Sequence, residues 1–113
     1  MSRYMSQINE IISRIVKFRD ERDWAQFHNP KDLAIALNIE AGELLELFLW
    51  KKENEANPER LKEELADVLI YALLLADKFD LDVQKIIEDK LNHNSQKYPV
   101  DKAKGNAKKY NEL

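Results

Sequence analysis

The chain has 113 residues and contains no cysteine, only two glycines and only three prolines. The absence of cysteine excludes a disulfide scaffold, a thiolate zinc site and a cysteine nucleophile. So few glycines and prolines disfavour an all-β domain, because its many tight turns use these residues. Since domains usually have ~100–200 residues, the length predicts a single domain over residues 1–113.

A long hydrophobic run is also missing. The longest one covers residues 68–76 and is bounded by Asp67 and Asp77, whereas a membrane-spanning helix needs ~20 apolar residues. Residues 1–4 lead into a polar, amphipathic segment rather than into the apolar part of a signal peptide. We therefore expect no membrane partner and predict a cytoplasmic protein.

Charge of neither sign dominates, since 18 Lys and Arg stand against 21 Asp and Glu, for a formal net charge of −3. A slightly acidic chain is unsuited to broad electrostatic binding of polyanions. Nucleic acid polymers are therefore not predicted as partners.

Apolar periodicity and capping signals predict an all-α fold with four helices. Asn29-Pro30 and Asn57-Pro58 are typical of an N-cap followed by proline at the first helical position, and Asp82 is a third candidate N-cap. The tail, from about residue 100 to 113, is predicted to be irregular. The predicted helices cover residues 6–22, 30 to about 51, 58 to about 79, and 83–98.

Four acidic residues lie on or beside the apolar faces of the second and third helices. Most helical glutamates face solvent, but the neighbours of Glu40 and Glu64 one turn away are almost all apolar. Burying a carboxylate without a proton, a cation or a basic partner is costly. Few basic residues lie nearby, so Glu40, Glu43, Glu64 and Asp67 are predicted to be internal and to hold a metal ion.

The spacing of these acids suits that role. Each helix offers two carboxylates at positions i and i+3, which are neighbours about one turn apart. Two packed helices would present four carboxylates to one point. Oxygen ligands without cysteine or histidine favour hard cations, so we predict Mg²⁺, with Mn²⁺ as the other candidate.

Aromatic and polar residues near the acids have two interpretations each. Trp24, His28, Trp50 and Tyr71 are either amphipathic residues at the edge of the core or a surface that stacks against a nucleotide base. Lys90, Asn94 and Lys97 form a polar stripe on the fourth helix, which is either solvated or in contact with phosphate.

Two features of the second and third helices concern packing. Gly42 lies in the middle of a helix, where glycine costs ~1 kcal/mol relative to alanine, so it indicates either close approach of another backbone or no packing role. The third helix is apolar on a second side as well, and a small four-helix domain cannot easily bury such a helix alone. We therefore predict a homo-oligomer, either a dimer or a tetramer built as a dimer of dimers.

The acidic motifs Glu40-x-x-Glu43 and Glu63-Glu64-x-x-Asp67 resemble the paired acidic motif of the MazG-like all-α nucleoside triphosphate pyrophosphohydrolases. Further segments resemble the dCTP pyrophosphatase branch of this family, and together they extend over nearly the whole chain. These segments are residues 22–30, 43–51, 63–71, 90–99 and 104–110.

The resemblance implies a MazG-like helical bundle and Mg²⁺-dependent hydrolysis of a nucleoside triphosphate, with dCTP or a modified dCTP first, to the monophosphate and pyrophosphate. It implies that water attacks the α-phosphorus, with Glu43 and Glu63 as alternative acceptors of its proton. The further roles implied are metal binding by Glu40, Glu43, Glu64 and Asp67, contacts with base and sugar by Trp24, His28, Trp50 and Tyr71, and contacts with phosphate by Lys90, Asn94 and Lys97.

Two alternatives use other chemistry. A di-iron carboxylate bundle needs Glu-x-x-His pairs on facing helices, and neither His28 nor His93 completes such a pair. A non-catalytic helical oligomerisation or interaction module would use the same apolar faces without acid pairs in them. It predicts that Glu40→Gln and Glu64→Gln leave function unchanged or stabilise the fold.

Overall fold

The computed structural model of the protein describes residues 6–113, and this part of the chain is helical without any strand. The all-α prediction is therefore confirmed, whereas residues 1–4, used above against a signal peptide, lie outside the described range. The helices are α1 (Gln7–Glu21), α2 (Pro30–Glu46), α3 (Pro58–Lys78), α4 (Val83–Lys97) and the short α5 (Val100–Ala103), with 3-10 turns at Trp24–Phe27, Glu53–Glu55 and Tyr110–Glu112.

Side-chain caps fix the starts of α2, α3 and α4. The side chains of Asn29, Asn57 and Asp82 accept hydrogen bonds of 2.9–3.1 Å from backbone N–H groups in the first turn of each helix. These bonds satisfy donors that a helix start would otherwise leave free. The three predicted N-caps are thus confirmed.

Helix α2 ends at Glu46, so the predicted end near residue 51 is wrong. After Glu46 the backbone N–H groups of Leu47, Phe48 and Leu49 bond three residues back rather than four, which tightens the chain into turns. Trp50 then takes a left-handed conformation with φ of 60°. The apolar periodicity continues through residues 47–50, so the sequence pattern does not reveal this end.

The predicted irregular tail contains local structure, so that prediction is also wrong in part. The backbone N–H groups of Ala103 and Lys104 bond back to the carbonyl oxygens of Pro99 and Val100, closing the single turn of α5. Further on, the ring of Tyr110 packs edge-on against Tyr98, with ring centroids 6.3 Å apart.

The chain forms two compact units, residues 6–81 and Asp82–Leu113. Within the first unit, α2 packs along α3, and α1 contacts α3. The buried apolar side chains described there are Leu33, Leu74 and Ala76. The prediction of one domain over residues 1–113 stays a prediction.

Many large apolar side chains remain exposed on this small core. On α3, Leu65 is 45% and Leu69 53% exposed, and both lie on the second apolar side noted in the sequence. Among the described helices, none is both long enough and apolar enough to cross a membrane.

Candidate active site

Three carboxyl groups from two helices meet in one cluster, called here the acid cluster. Glu40 and Glu43 are one turn apart on α2, and Glu64 lies on α3, which packs along α2. One carboxylate oxygen from each of these residues lies within 4.8 Å of the others. The acid pairs read from the sequence thus converge because their two helices are neighbours.

Two oxygen atoms of the acid cluster are buried without a partner. Oε2 of Glu40 and Oε2 of Glu64 accept no hydrogen bond from the described residues. Glu64 as a whole is only 8% exposed. Such oxygens are costly to bury unless a proton or a cation compensates their charge.

Glu64 has a basic partner, contrary to the prediction that the acids lack one. Arg60, one turn earlier on α3, donates a hydrogen bond of 3.3 Å from Nη2 to Oε1 of Glu64. A lysine or arginine four residues away on a helix can reach a carboxylate, which explains the contact. It leaves Oε2, the second oxygen of Glu64, unpaired.

The environment of Glu40 strongly favours its protonated form. Burial and the neighbouring carboxyl group of Glu43, followed by Asp67 and Glu64, raise the pKa of Glu40 from 4.5 to about 7. Adjacent carboxylates cannot all be charged without a counter-ion, because like charges disfavour each other. The acid cluster therefore has the electrostatics of a site for a cation.

The donor set and spacing fit a hard divalent cation. Mg²⁺ binds oxygen ligands at about 2.0–2.1 Å, so ligands of one ion lie up to about 4.2 Å apart. The three carboxylate oxygens all lie within 4.8 Å of one another, which is compatible with that spacing. The acid cluster accordingly fits a divalent metal ion.

Asp67 and Glu43 are exposed, so the prediction that all four acids are internal is wrong for these two. Asp67 is also not among the three acids with converging oxygens. It lies three residues beyond Glu64, about 4.5 Å further along the helix axis. Its carboxylate is nevertheless close enough to contribute to the raised pKa of Glu40.

A cavity of about 220 Å³, called here the aromatic cavity, lies beside Asp67 in the first unit. Three of the four residues predicted to contact a base and sugar line it, namely Trp24, His28 and Tyr71. The rings of His28 and Tyr71 meet edge-on, with centroids 6.5 Å apart. The rest of the wall is mainly isoleucine, leucine and phenylalanine, as is common for sites that bind flat, partly apolar ligands.

The surroundings of His28 and Tyr71 shift the pKa of each side chain towards its neutral form. Burial, with the positive charges of Arg19 and Lys78, lowers the pKa of His28. Burial and the charges of Glu40, Asp67 and Glu43 raise the pKa of the Tyr71 hydroxyl. Tyr71 lines the aromatic cavity, and the charges of the acid cluster act on its hydroxyl. The two features are therefore adjacent.

Two predicted site residues lie outside these features. Trp50 is 97% exposed and does not line the aromatic cavity, because the chain leaves the helical path at residue 47. Glu63 is exposed beside Glu64 and is not one of the converging acids. Their roles stay predictions.

The predicted phosphate-binding residues all lie on α4, in the second unit. Lys90 is exposed and Asn94 is half-buried. The Nζ atom of Lys97 lies 4.6 Å from the centroid of the Tyr110 ring, a cation–π contact that restrains the lysine side chain. Contact with phosphate stays a prediction for all three.

Sequence reasoning missed Arg19, which is 9% exposed and lines the aromatic cavity. A signal was present, because Arg19 follows Ile12 and Ile15 at the spacing of one helix face. An arginine on the apolar side of a helix is unusual and indicates a specific partner.

Comparisons with known proteins agree with these features. The model of the MazG-like family matches residues 35–113. The dCTP pyrophosphatase 1 of Mus musculus is 44% identical over 63% of this chain, and that of Homo sapiens 47% over 59%. The matched part spans 46% and 44% of those relatives, less than half of their length.

A solved structure resembles the chain over a larger part of its length than these relatives do. A pyrophosphatase from Archaeoglobus fulgidus is 34% identical, with a TM-score of 0.78 over 88% of this chain and 98% of that one. The chain belongs to the MazG-like family.

Proposed function

We propose that the protein hydrolyses a nucleoside triphosphate, most simply dCTP or a modified dCTP, to the monophosphate and pyrophosphate in a Mg²⁺-dependent reaction. The observation that carries the proposal is the pair of unpartnered buried oxygens on Glu40 and Glu64, within a three-acid cluster. The similarity to dCTP pyrophosphatases and to a solved pyrophosphatase supports the substrate and the bond that is broken.

Each part of the site has a role in this reaction. Glu40, Glu43, Glu64 and Asp67 would hold the metal ion, and Glu43 and Glu63 are the candidates for accepting the proton of the attacking water. A bound divalent cation supplies positive charge to the phosphates and acidifies water. Trp24, His28 and Tyr71 bind the base and sugar in the aromatic cavity, with Trp50 as a further contact, and Lys90, Asn94 and Lys97 bind phosphate.

Hydrolysis in ¹⁸O-labelled water tests the proposal. The protein is incubated with Mg²⁺ and each of the four common deoxynucleoside triphosphates, and the products are identified by mass spectrometry. We expect pyrophosphate and a monophosphate carrying the label, because water attacks the α-phosphorus. Label in pyrophosphate would refute that position of attack, and release of inorganic phosphate would refute the reaction class.

Matched variants separate metal binding from general effects of charge. Glu40→Gln and Glu64→Gln should abolish hydrolysis, whereas Glu46→Gln on α2 and Glu59→Gln on α3 should not, since both controls are exposed. Unchanged hydrolysis in both cluster variants would favour the non-catalytic helical module instead.

We also propose that the protein is a homo-oligomer, a dimer or a dimer of dimers. The support is the exposed apolar surface of α3. The described part of the chain leaves Leu65 and Leu69 of this surface exposed. Such a face is costly to leave in water. In the proposed homo-oligomer, a second copy of the chain covers it. The cytoplasmic location stays a prediction.

A further inference from the structure

Arg19 is the cationic group of the aromatic cavity. Its side chain is 10% exposed, and it lines the cavity together with Trp24, His28 and Tyr71. Burial and nearby positive charge lower the pKa of His28, which disfavours its charged form. Among the described residues that line this cavity, Arg19 is therefore the one permanent cation.

Among residues 6–113, most of the hydrogen-bond donors of Arg19 find no acceptor. A guanidinium carries five N–H groups, and Nε donates to Oδ1 of Asp20 at 2.9 Å. The carboxylate of Asp77 lies 3.6 Å from Nη1, which is an ion pair but too long for a hydrogen bond. Within residues 6–113, the Nη groups donate no hydrogen bond, so they can serve a ligand.

We propose that Arg19 determines which base the aromatic cavity accepts, by donating to the adjacent O2 and N3 acceptors of cytosine. This inference rests on the proposed function, because it takes the aromatic cavity to be the site of the base. A planar guanidinium fork pairs best with two neighbouring acceptors.

The common bases differ in the hydrogen-bonding groups that they would present to Arg19. Cytosine offers a carbonyl oxygen next to an unprotonated ring nitrogen, which matches the fork. Adenine has no carbonyl oxygen and places an amino group beside its ring nitrogen, and thymine places an N–H between its two carbonyl groups. The guanine O6 and N7 atoms also form an acceptor pair, so guanine is the base from which the fork separates cytosine least.

A purely structural role for Arg19 is the competing explanation. The ion pair with Asp77 joins α1 to the end of α3, so loss of Arg19 could loosen the first unit without any effect on base preference. The test must therefore measure selectivity between bases rather than activity alone.

NMR titration of the metal-free full chain with nucleosides measures that selectivity. The ligands are 2′-deoxycytidine, thymidine and 2′-deoxyadenosine, which carry no phosphate and need no metal. We expect the unmodified protein to bind deoxycytidine most tightly. Arg19→Met should weaken deoxycytidine binding about 10-fold, the usual size of one bidentate base contact, and leave deoxyadenosine binding unchanged.

Two control variants and one conservative variant complete the experiment. Asp77→Asn breaks the ion pair, and Arg14→Ala removes a charge from an exposed position of α1, so neither should change the ratio between bases. If Arg19→Met does not fold, Arg19→Lys keeps the charge but not the fork, and it should lose part of the cytosine preference.

The outcomes distinguish this inference from the proposed function. Equal weakening of all three nucleosides by the Arg19 variants would overturn it in favour of a structural role, as would loss of the preference in Asp77→Asn. Absence of any nucleoside binding by the unmodified protein would also overturn it. Failure of triphosphate hydrolysis, by contrast, would refute the proposed function, since nucleoside binding needs neither metal nor cleavage.

Discussion

The carboxyl group of Glu40 makes the stability of the metal-free protein depend on pH. Burial and the Glu43 carboxyl raise the pKa of Glu40 from 4.5 to about 7 in the folded state. Between these pH values the folded state binds more protons at this site than the unfolded state does. The free energy of unfolding therefore falls as the pH rises from about 4.5 to about 7.

Glu40→Gln should remove this part of the pH dependence, because an amide does not titrate. Urea unfolding with a chelator at about pH 5 and about pH 8 measures it, as the difference in unfolding free energy between the two conditions. Glu46→Gln, an exposed position on the same helix, is the control. If Glu40→Gln kept the full pH dependence of the unfolding free energy, that dependence would not come from Glu40.

At the scale of single elements, the start of α3 depends on one side chain. Oδ1 of Asn57 accepts hydrogen bonds from the backbone N–H groups of Glu59 at 2.9 Å and Arg60 at 3.4 Å. Asn57→Ala should lower the unfolding free energy by about 1 kcal/mol, the usual value of an N-cap. Denaturant unfolding measures this loss.

Asn54→Ala is the matched control for the cap, because Asn54 is exposed and lies outside α3. Equal destabilisation by both changes would indicate that the cap is not the cause. Since α3 carries Glu64, fraying at its start should also raise the Mg²⁺ concentration that the proposed reaction needs.

Gly42 has room for a side chain, in contrast to the alternative that another backbone approaches it closely. A Cβ atom at this position would meet nothing within 4 Å in the described chain. Gly42→Ala should therefore raise the unfolding free energy by about 1 kcal/mol, as glycine is the weaker helix former. The reverse change at the neighbouring exposed position, Ala41→Gly, should lower it by a similar amount.

Destabilisation by Gly42→Ala would have a specific meaning. It would show that a surface outside the single chain packs against this part of α2. Comparison of the unfolding free energies of both variants at low and high protein concentration would then identify a second copy as that surface.

At the scale of the whole molecule, the balance between buried and exposed apolar groups predicts assembly. Leu69→Glu places a charge on the exposed apolar side of α3, where Leu69 is 53% exposed, and should convert the oligomer to monomers. Sedimentation equilibrium measures the mass, and the thermal midpoint should lose its dependence on concentration.

The control for assembly is Lys62→Glu, which also adds negative charge to α3 but at a position whose side chain is 73% exposed. It should leave the mass unchanged. A monomeric unmodified protein, or an intact oligomer in Leu69→Glu, would contradict the prediction.

The features that the sequence predicted well are those fixed by local chemistry. The asparagine caps and the acid pair on each helix follow from neighbouring residues, so the helix starts and the pairing of Glu40 with Glu43 could be anticipated. The convergence of Glu64 with them also needed α2 and α3 to pack together, as the apolar faces of both helices suggested. The family resemblance stated from the motifs is confirmed by the match over residues 35–113.

The features that the sequence did not predict depend on packing between elements. The exposure of Asp67 depends on how α2 packs against α3, and the end of α2 is hidden by continuing apolar residues. The place of Arg19 in the aromatic cavity depends on how α1 lies on α3, which periodicity alone does not specify.

The contrast between the two tryptophans gives the protein its own optical probes. Trp50 is 97% exposed, whereas Trp24 lines the aromatic cavity, and the sequence contains no other tryptophan. Iodide should quench the emission of Trp50 first, and a surface that covers this ring should shift its emission to shorter wavelength. In Trp50→Phe the remaining fluorescence comes from Trp24 alone, so its change on adding a nucleoside directly reports occupation of the cavity.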